Sequence, residues 1–485
     1  MNKYSSLFSF ITVVLLASSA FTATKKQIKF EDNAAKVNPM PVASTIFVTD
    51  TNFVYNAAQQ YILGDSNFLS AHVGISIYNP ETQQYLYNYQ GDKYFVPASN
   101  MKLFTCYAAM KNLGDSLVGL RYFEDKNGGV TIKGTGDPTF LHPDFKNQSV
   151  YEFLKNKNWI ICEFNLGAKH FNQYGKGWAW DDYQSDYMPE RSELPIYGNV
   201  AKFYLLGDSI NVIPKRFYSL PLLLFNGTLK RANHNTQNSE YNFEIVRTVS
   251  KNIFSAFPKR VKFNTQYVPF TNETEFLENH QYKSTLTELM SDTLAKNVII
   301  SNNMFDNLNQ TSIIHSQPTD SLLKPMMHNS DNFFAEQTLL MVSNEKLGVM
   351  NDEKIIDTLL KTDFKGMPQK PKWVDGSGLS RYNLITPQDF VWVLTKMKND
   401  FSWQRITTIL ATGNEGTLSN YYKNLSGKIF AKTGTLSNQV ALSGYLITKQ
   451  NKTLVFSVLV NNHQTSATNV RRAVEKFLND IYEKY

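Results

Sequence analysis

The sequence predicts an α+β protein in which helices pack on an antiparallel sheet and a β-rich region is inserted into that unit. Three observations support this prediction: a hairpin pattern near each end of the chain, a helical pattern beside each hairpin, and a middle region with short strand-like runs and frequent turn signals. With 485 residues, of which 42% are apolar, the chain is long enough for more than one packed core.

The first 20 residues, 1–20, have the pattern of a secretory signal peptide. Lys3 precedes an apolar run over residues 7–17, and residues 18–20 supply the small side chains of a cleavage site. The run is shorter than the ~20 apolar residues that a membrane-spanning helix needs. We therefore expect a protein that is secreted across the inner membrane into the periplasm, with no transmembrane anchor.

The part of the chain that follows is predicted to contain a helix, a hairpin and a second helix. Residues 51–62 place apolar side chains on one helical face. Residues 73–78 and 84–89 have the pattern of two strands joined by a short turn. Pro97 then precedes a helical pattern over residues 99–113.

The C-terminal part mirrors this order. Residues 428–432 are typical of a short strand, residues 440–448 and 453–460 of a hairpin, and residues 467–482 of a helix with one apolar face. The acidic residues of that last helix favour packing in the core over binding to a membrane surface.

The hairpins at the two ends can complete a single sheet, which would place both ends of the chain in the same domain. We therefore expect one discontinuous domain over residues 44–115 and 281–485. The middle of the chain, residues 116–280, is rich in Asn, Tyr, Phe and Lys and has frequent turn signals. It is predicted to form one or more inserted β-rich domains.

Charge and cysteine content exclude several classes of function. The formal net charge of +7 is spread thinly, without the run of Lys and Arg that a nucleic-acid partner would favour. Cys106 and Cys162 are too few for a disulfide framework or a zinc cluster. A single disulfide stays possible in an oxidising compartment, but we interpret both cysteines as buried apolar residues.

Three short motifs follow one another along the chain. Ser99 begins an S-x-x-K motif, Ser330 an S-x-N motif and Lys432 the K-T-G motif. S-x-x-K also occurs at Ser321 and Ser343, and S-x-N occurs at four positions, so neither motif is specific alone. Only Ser99 follows a predicted hairpin and opens a helix, and only Ser330 precedes an apolar helical stretch. The ordered set predicts a serine-based active site.

The first two motifs supply a nucleophile, its base and a proton donor. A serine hydroxyl is a weak nucleophile until a base removes its proton. Because residues i and i+3 share a helix face, Lys102 can reach Ser99. Burial and the nearby cation Lys432 would lower the pKa of Lys102 from its usual ~10.4, which makes it a base. Ser330 can pass a proton to the departing amine, and Asn332 can hold a substrate amide.

The third motif supplies groups for binding. Lys432 and the hydroxyls of Thr433 and Thr435 suit a substrate carboxylate. Gly434 lets the strand approach the substrate backbone closely. The backbone N–H of Thr435 is expected to form an oxyanion hole with that of Ser99, at the N-terminus of the first motif's helix.

With these motifs the chain resembles the penicillin-recognising serine D,D-peptidases. It is most similar to their class C low-molecular-mass members, the D-alanyl-D-alanine carboxypeptidase/endopeptidases. The first and second motifs are 231 residues apart, and the second and third are 102 residues apart. The first gap is far too long for a simple β-lactamase-like domain, and this family carries extra domains there. Residues 134–139, 177–182 and 375–383 are also similar to the family.

The resemblance implies a β-lactamase/transpeptidase-like fold and a two-step acyl transfer. Ser99 would attack the carbonyl of the penultimate D-Ala in a peptidoglycan stem peptide, and water would then hydrolyse the acyl-enzyme. It implies that no metal or organic cofactor is needed and that β-lactam antibiotics acylate the same serine as covalent inhibitors. If the leaving residue is a cross-linked diamino acid, the same chemistry is an endopeptidase reaction.

Three alternatives stay open at this point. A β-lactamase or esterase on the same scaffold would release penicillin rapidly, and the long insertion, the S-x-N motif and the lack of an obvious deacylating carboxylate argue against it. A non-catalytic wall-binding protein would not need Ser99, Lys102, Ser330, Asn332 and Lys432 together. A signal-anchored transpeptidase is disfavoured by the short apolar run.

Overall fold

The computed structural model describes residues 52–163, 170–207, 209–218, 242–259, 262–276, 282–301 and 311–485. The predicted signal peptide, residues 1–20, lies outside the described residues. The helices of the described part are α1 (Asn52–Ala58), α2 (Lys102–Asn112), α3 (Ser149–Lys155), α4 (Thr285–Leu294), α5 (Thr319–His328), α6 (Asn332–Leu347), α7 (Asp352–Lys361), α8 (Pro387–Asp400), α9 (Trp403–Ile409) and α10 (Ala467–Lys484).

The strands of the described part follow the same chain order. They are β1 (His72–Asn79), β2 (Gln84–Tyr89), β3 (Ser116–Glu124), β4 (Val130–Gly134), β5 (Ile160–Glu163), β6 (Val200–Leu206), β7 (Ser209–Ile213), β8 (Phe243–Arg247), β9 (Phe254–Pro258), β10 (Gln266–Pro269), β11 (Thr274–Phe276), β12 (Tyr282–Ser284), β13 (Val298–Ser301), β14 (Ser312–Pro318), β15 (Ala411–Thr412), β16 (Ile429–Leu436), β17 (Gln439–Ile447) and β18 (Thr453–Asn461).

The largest sheet joins strands from both ends of the chain, as the hairpin patterns predict. Its order is β15-β16-β17-β18-β1-β2, and every neighbouring pair is antiparallel. The contact between the two ends is the pairing of β1 with β18, in which Ser76 lies opposite Ser457. Both predicted hairpins are confirmed, and β16 is longer than expected because its pairing with β17 continues to Leu436.

Helices cover both faces of this sheet, which accounts for the nearly continuous apolar sequences of its central strands. On one face, α1 and α10 pack through buried residues such as Val54, Val474 and Phe477. On the other face, α2 and α5–α9 form a second core around residues such as Phe104 and Phe390. The apolar side of α10 is buried, which confirms its predicted core packing.

A separate β-rich part lies between the two halves of this sheet in the sequence. A five-stranded sheet has the order β13-β5-β4-β3-β14, with parallel pairing of β4 with β5 and of β5 with β13. Parallel neighbours need a crossover, and α3 lies between β4 and β5 in the chain. This sheet, α3, α4 and the smaller sheets share a third core. The α+β class with β-rich insertions is confirmed, while the domain boundaries at residues 115/116 and 280/281 stay predictions.

Both cysteines are buried and unbridged, as interpreted from the sequence. Cys106 lies on α2 and Cys162 on β5. Burial raises the pKa of the Cys106 thiol to about 12 and also raises that of Cys162, so both behave as apolar groups. Across the described ranges, no helix combines the length and the hydropathy required of a membrane span.

Candidate active site

Ser99 lies in a tight turn before α2. Residues Ala98–Met101 form a 3₁₀ helix, and α2 begins at Lys102, three residues later than predicted. Side chains at i and i+3 are eclipsed in a 3₁₀ turn, and Lys102 Nζ lies 2.9 Å from Ser99 Oγ. Ala98 has a left-handed backbone, φ 48°. Such a conformation costs about 1–3 kcal/mol and is concentrated at functional sites.

The Lys102 amine is fully buried and has three oxygen neighbours. Nζ lies 2.9 Å from Ser99 Oγ, 2.6 Å from Asn332 Oδ1 and 2.9 Å from the Ser377 carbonyl oxygen. An unprotonated amine has two N–H donors and one lone pair. It can donate to Asn332 and Ser377 and keep the lone pair for the Ser99 hydroxyl proton, so the surroundings accommodate the unprotonated form as well as the ammonium.

The electrostatics of Lys102 agree with this geometry. Burial lowers its pKa from the usual 10.5 to about 8, although Asp331, Asp375 and Glu336 raise it. Desolvation therefore outweighs the three carboxylates. Near neutral pH a minor part of the Lys102 population is therefore unprotonated, which is the form that a base for Ser99 requires.

The second motif lies at the N-terminus of α6. Asp331 is the N-cap, and its carboxylate accepts a backbone N–H of the first turn at 2.8 Å. Ser330, just before this cap, has φ 62°. Asn332 uses both ends of its amide, because Oδ1 accepts from Lys102 and Nδ2 donates to the Tyr187 carbonyl oxygen at 3.0 Å. Asn332 is thus bonded to the candidate base, and its contact with a substrate amide stays a prediction.

The third motif lies on β16, between β15 and β17. Lys432 is fully buried, and its Nζ donates to Ser330 Oγ at 2.9 Å and to the Thr433 carbonyl oxygen at 2.8 Å. Burial, followed by the nearby Lys102, lowers the pKa of Lys432 well below its usual value. Each lysine therefore has one serine hydroxyl beside it: Ser99 for Lys102 and Ser330 for Lys432.

Gly434 brings β16 against the Ser99 turn. A Cβ atom at this position would lie 2.7 Å from the Pro97 carbonyl oxygen and 3.1 Å from the backbone nitrogens of Ser99 and Asn100. These backbone atoms cannot move aside as a flexible side chain would, so a side chain here would push the strand away. The close approach places the strand beside the Ser99 N–H, as the predicted oxyanion hole with Thr435 requires.

The two threonines of the motif point to different partners. Thr433 Oγ1 lies 2.7 Å from Thr417 Oγ1. Thr435 Oγ1 accepts a hydrogen bond from Arg471 Nη2 at 2.7 Å. Sequence reasoning missed Arg471. This residue lies on α10, the helix that follows β18, and belongs to no motif. Its position adds a cation to the site predicted to bind a carboxylate.

Two stretches noted for their similarity to the family pack against each other. Trp178 Nε1 donates to Asp375 Oδ2 at 3.0 Å. Asp375 is fully buried, and it also accepts the backbone N–H groups of Gly378 and Ser380 at 2.9 and 2.6 Å. This fixes the loop in which Ser377 offers its carbonyl oxygen to the candidate base. Ser377 lies in a stretch noted from the sequence, but its contact with Lys102 was not predicted.

The other two S-x-x-K serines lie elsewhere. Ser343 is buried inside α6, where Oγ donates to the Val349 carbonyl oxygen at 2.6 Å and accepts the Asn351 N–H at 2.9 Å. Ser321 is exposed on α5. The structure brings only Ser99 together with the second and third motifs. The catalytic and binding roles of the eight predicted residues stay predictions.

Comparison with known proteins agrees with the geometry. The chain matches the D-Ala-D-Ala carboxypeptidase 3 (S13) family over residues 56–481. It is 24% identical over 460 residues to penicillin-sensitive carboxypeptidase A of Dictyostelium discoideum, an alignment that covers 83% of this chain and 85% of the relative. It is also 24% identical over 437 residues to the D-alanyl-D-alanine carboxypeptidase DacB of Haemophilus influenzae, covering 81% and 86% of the two chains.

A solved structure shares the architecture. The fold is similar to that of penicillin binding protein 4 (dacB) from Haemophilus influenzae, with a TM-score of 0.63 and 19% sequence identity. The superposition covers 88% of this chain and 98% of that chain. The likeness therefore extends over the inserted β-rich part as well as the large sheet.

Proposed function

Because this chain belongs to the D-Ala-D-Ala carboxypeptidase 3 (S13) family, we propose that Ser99 is its acyl-accepting nucleophile and Lys102 the base that activates it. As a member of this family, the chain is a serine-type D-Ala-D-Ala carboxypeptidase. The observation that carries the assignment is the buried Lys102 amine, whose Nζ lies 2.9 Å from Ser99 Oγ and has acceptors for two N–H groups in Asn332 Oδ1 and the Ser377 carbonyl oxygen.

The reaction begins with attack of Ser99 Oγ on the carbonyl carbon of the penultimate D-Ala. Lys102 Nζ accepts the hydroxyl proton as the new C–O bond forms. The N–H groups of Ser99 and Thr435 stabilise the negative oxygen of the tetrahedral intermediate. As the C–N bond breaks, Ser330 passes its proton to the departing amine and takes up the proton that Lys102 removed from Ser99, while Lys432 holds the Ser330 hydroxyl by a hydrogen bond. Lys102, unprotonated again, then accepts a proton from the water that attacks the ester and returns it to Ser99 Oγ as the acyl product leaves.

The carboxylate of the leaving residue has a cationic site. Lys432, Thr433 and Thr435 are the predicted binding groups, and Arg471 adds a guanidinium at the Thr435 hydroxyl. Among the described contacts, Lys432 and Arg471 have hydroxyl and carbonyl partners but no carboxylate. A bound substrate carboxylate could pair with both, and charge-assisted bonds are about twice as strong as neutral ones. The leaving residue is a terminal D-Ala in carboxypeptidase action. It is a diamino acid with a free carboxylate beside the scissile amide in endopeptidase action.

The setting of the reaction follows from its substrate. Peptidoglycan lies outside the cytoplasm, which agrees with the signal-peptide pattern of residues 1–20 and with periplasmic secretion. A β-lactam presents a strained amide and a carboxylate in the arrangement of a D-Ala-D-Ala terminus. β-Lactams are therefore expected to acylate Ser99 and to remain bound as esters.

The assignment predicts defined products. Incubation with a stem pentapeptide ending in D-Ala-D-Ala is expected to release one D-Ala, and a cross-linked dimer is expected to yield monomers, both detected by mass spectrometry. A pentapeptide ending in D-Ala-L-Ala serves as the control and should stay intact. Intact D-Ala-D-Ala peptides together with rapid, repeated hydrolysis of penicillin would replace this assignment with a β-lactamase.

Arg471→Ala is expected to lower kcat/KM for peptides with a free terminal carboxylate by roughly 10- to 150-fold, because a charge-assisted bond contributes roughly 1.5–3 kcal/mol. Within the described ranges Arg471 forms no ion pair, since its contacts are the Thr435 hydroxyl and the Tyr421 ring. Hydrolysis of the matching C-terminal amide should change little. Lys476→Ala removes the same charge from an exposed position of α10 and is the control. Equal losses on acid and amide substrates would remove Arg471 from the carboxylate site.

A further inference from the structure

We propose that Arg191 and Glu336 form a buried brace that positions the base Lys102, through the backbone of Ser377. The inference rests on the roles proposed above for Ser99 and Lys102. Arg191 lies between β5 and β6, in the region predicted to be inserted, whereas Glu336 lies on α6. The brace therefore connects the β-rich part of the chain to the catalytic machinery.

Arg191 is almost fully buried and is held from several directions. Its Nη1 lies 3.3 Å from Glu336 Oε2 and 2.7 Å from Asp352 Oδ2. Its Nε and Nη2 donate to the Asn172 carbonyl oxygen at 3.0 and 2.8 Å. The guanidinium also lies 5.7 Å from the centre of the Trp178 ring. A buried guanidinium with carboxylate, carbonyl and ring partners is fixed in one orientation.

Glu336 transmits this position towards the active site. It lies one helical turn after Asn332, and its side chain is 1% exposed. Oε1 accepts the Ser377 N–H at 2.7 Å, while the Ser377 carbonyl oxygen accepts from Lys102 at 2.9 Å. One carboxylate oxygen thus faces Arg191 and the other holds the residue that orients the base. Asn332, on the same helix, supplies the second acceptor of Lys102.

The loop that contains Ser377 cannot move away from α6 without losing the hydrogen bonds of Ser377 to Glu336 and Lys102. A Cβ atom on Gly376 would lie 2.6 Å from the Ala335 carbonyl oxygen, so the loop backbone touches the helix. Asp375 holds the next peptide through the Gly378 N–H, and Trp178 binds Asp375. Two side chains of one inserted segment, Trp178 and Arg191, therefore secure the two carboxylates that fix Ser377.

The charge on Glu336 also acts on Lys102 directly. Asp331, Asp375 and Glu336 raise the pKa of Lys102, while burial lowers it, and Lys432 is the cation that shares the site. Removing one of the three negative charges would therefore ease the loss of the Lys102 proton.

Arg191 favours the charged form of Glu336. Burial and the neighbouring Asp375 raise the pKa of Glu336 to about 7, and Arg191 opposes them. Asp352 is the other carboxylate at the guanidinium. Without Arg191, the pKa of Glu336 would rise further, so less of the carboxylate would be charged near neutral pH. Loss of either partner is therefore expected to affect Lys102 in the same direction.

The test measures the rate of acylation by a fluorescent penicillin from pH 5 to 9. Glu336→Gln keeps an oxygen that can accept the Ser377 N–H and removes the charge. The acid limb of the profile is expected to move to lower pH by about half to one unit, because Lys102 then loses its proton more easily. Arg191→Met should move the limb in the same direction. The double variant should show no additional shift, since both changes act through one carboxylate.

The structure offers a matched control. Arg121 on β3 forms a 2.7 Å ion pair with Glu345 on α6, joining the same two parts of the chain away from the site. Glu345→Gln should leave the pH profile unchanged. The proposal would be wrong if the Glu336→Gln protein labels completely, keeps the wild-type acid limb and differs only in a lower melting temperature. Arg191 and Glu336 would then be a structural ion pair without a role in positioning Lys102. Absence of labelling in the wild type would instead contradict the proposed function.

Discussion

Ser99→Ala is expected to abolish covalent labelling by a fluorescent penicillin and to lower the rate of D-Ala release on the order of 10⁶-fold. Ser99 is the hydroxyl that lies beside the candidate base Lys102, and its removal leaves binding and oxyanion stabilisation. Ser99 is half-buried and its side chain bonds to Lys102 alone among the described contacts, so the fold should persist. Labelling on a gel, D-Ala release and a thermal melt together check this expectation.

The other S-x-x-K serines provide the control for Ser99. Ser321→Ala changes an exposed residue of α5 in the same sequence motif. It should leave labelling and peptide hydrolysis at wild-type values. Undiminished labelling of the Ser99→Ala protein, or loss of labelling in Ser321→Ala, would overturn the assignment of the nucleophile.

Lys102→Ala is expected to slow acylation by about 10²–10⁴-fold, the range that a general base contributes. Non-covalent binding of the peptide should persist, because the predicted carboxylate groups lie on β16 and α10. The measurement is single-turnover acylation together with the dissociation constant of a D-Ala-D-Ala peptide. Normal acylation kinetics would rule out Lys102 as the base.

The pH dependence separates loss of the base from loss of structure. The active form of Lys102 is unprotonated and its pKa is about 8, so wild-type acylation should rise with pH and level off above that value. The Lys102→Ala protein should lack this limb. Lys111→Ala, on the same helix but paired with Asp400 outside the site, should keep it.

The sequence was sufficient for the local elements around the site. Strand-like runs joined by short turns identified both hairpins, and apolar periodicity identified the helices near residues 51–62 and 467–482. It missed the form of the turn at Ser99, because Ala98 takes a left-handed conformation and the first turn is 3₁₀. That geometry depends on the contact between this turn and Gly434 of β16, which is distant in the sequence.

The three motifs located the candidate nucleophile, its base and the second lysine. Their ordered spacing separated Ser99 from Ser321 and Ser343, and the structure agrees in placing only Ser99 beside Lys102 and Asn332. Sequence reasoning did not identify Arg471 or the Arg191–Glu336 brace, which lie outside every stretch singled out from the sequence. Ser377 lies in the stretch 375–383 noted for its similarity to the family, but its contact with Lys102 could not be predicted because it is made by the backbone.

The sequence by itself thus determined the elements, the order of the motifs and the family, since these depend on residue types at short spacing. Only the tertiary structure decided the protonation chemistry of Lys102. Its pKa depends on burial, and its orientation depends on oxygens from Asn332 and Ser377. Glu336 and Arg191, which secure Ser377, are 145 positions apart. Desolvation and charge interactions act through space, so side chains without sequence proximity set the strength of the base.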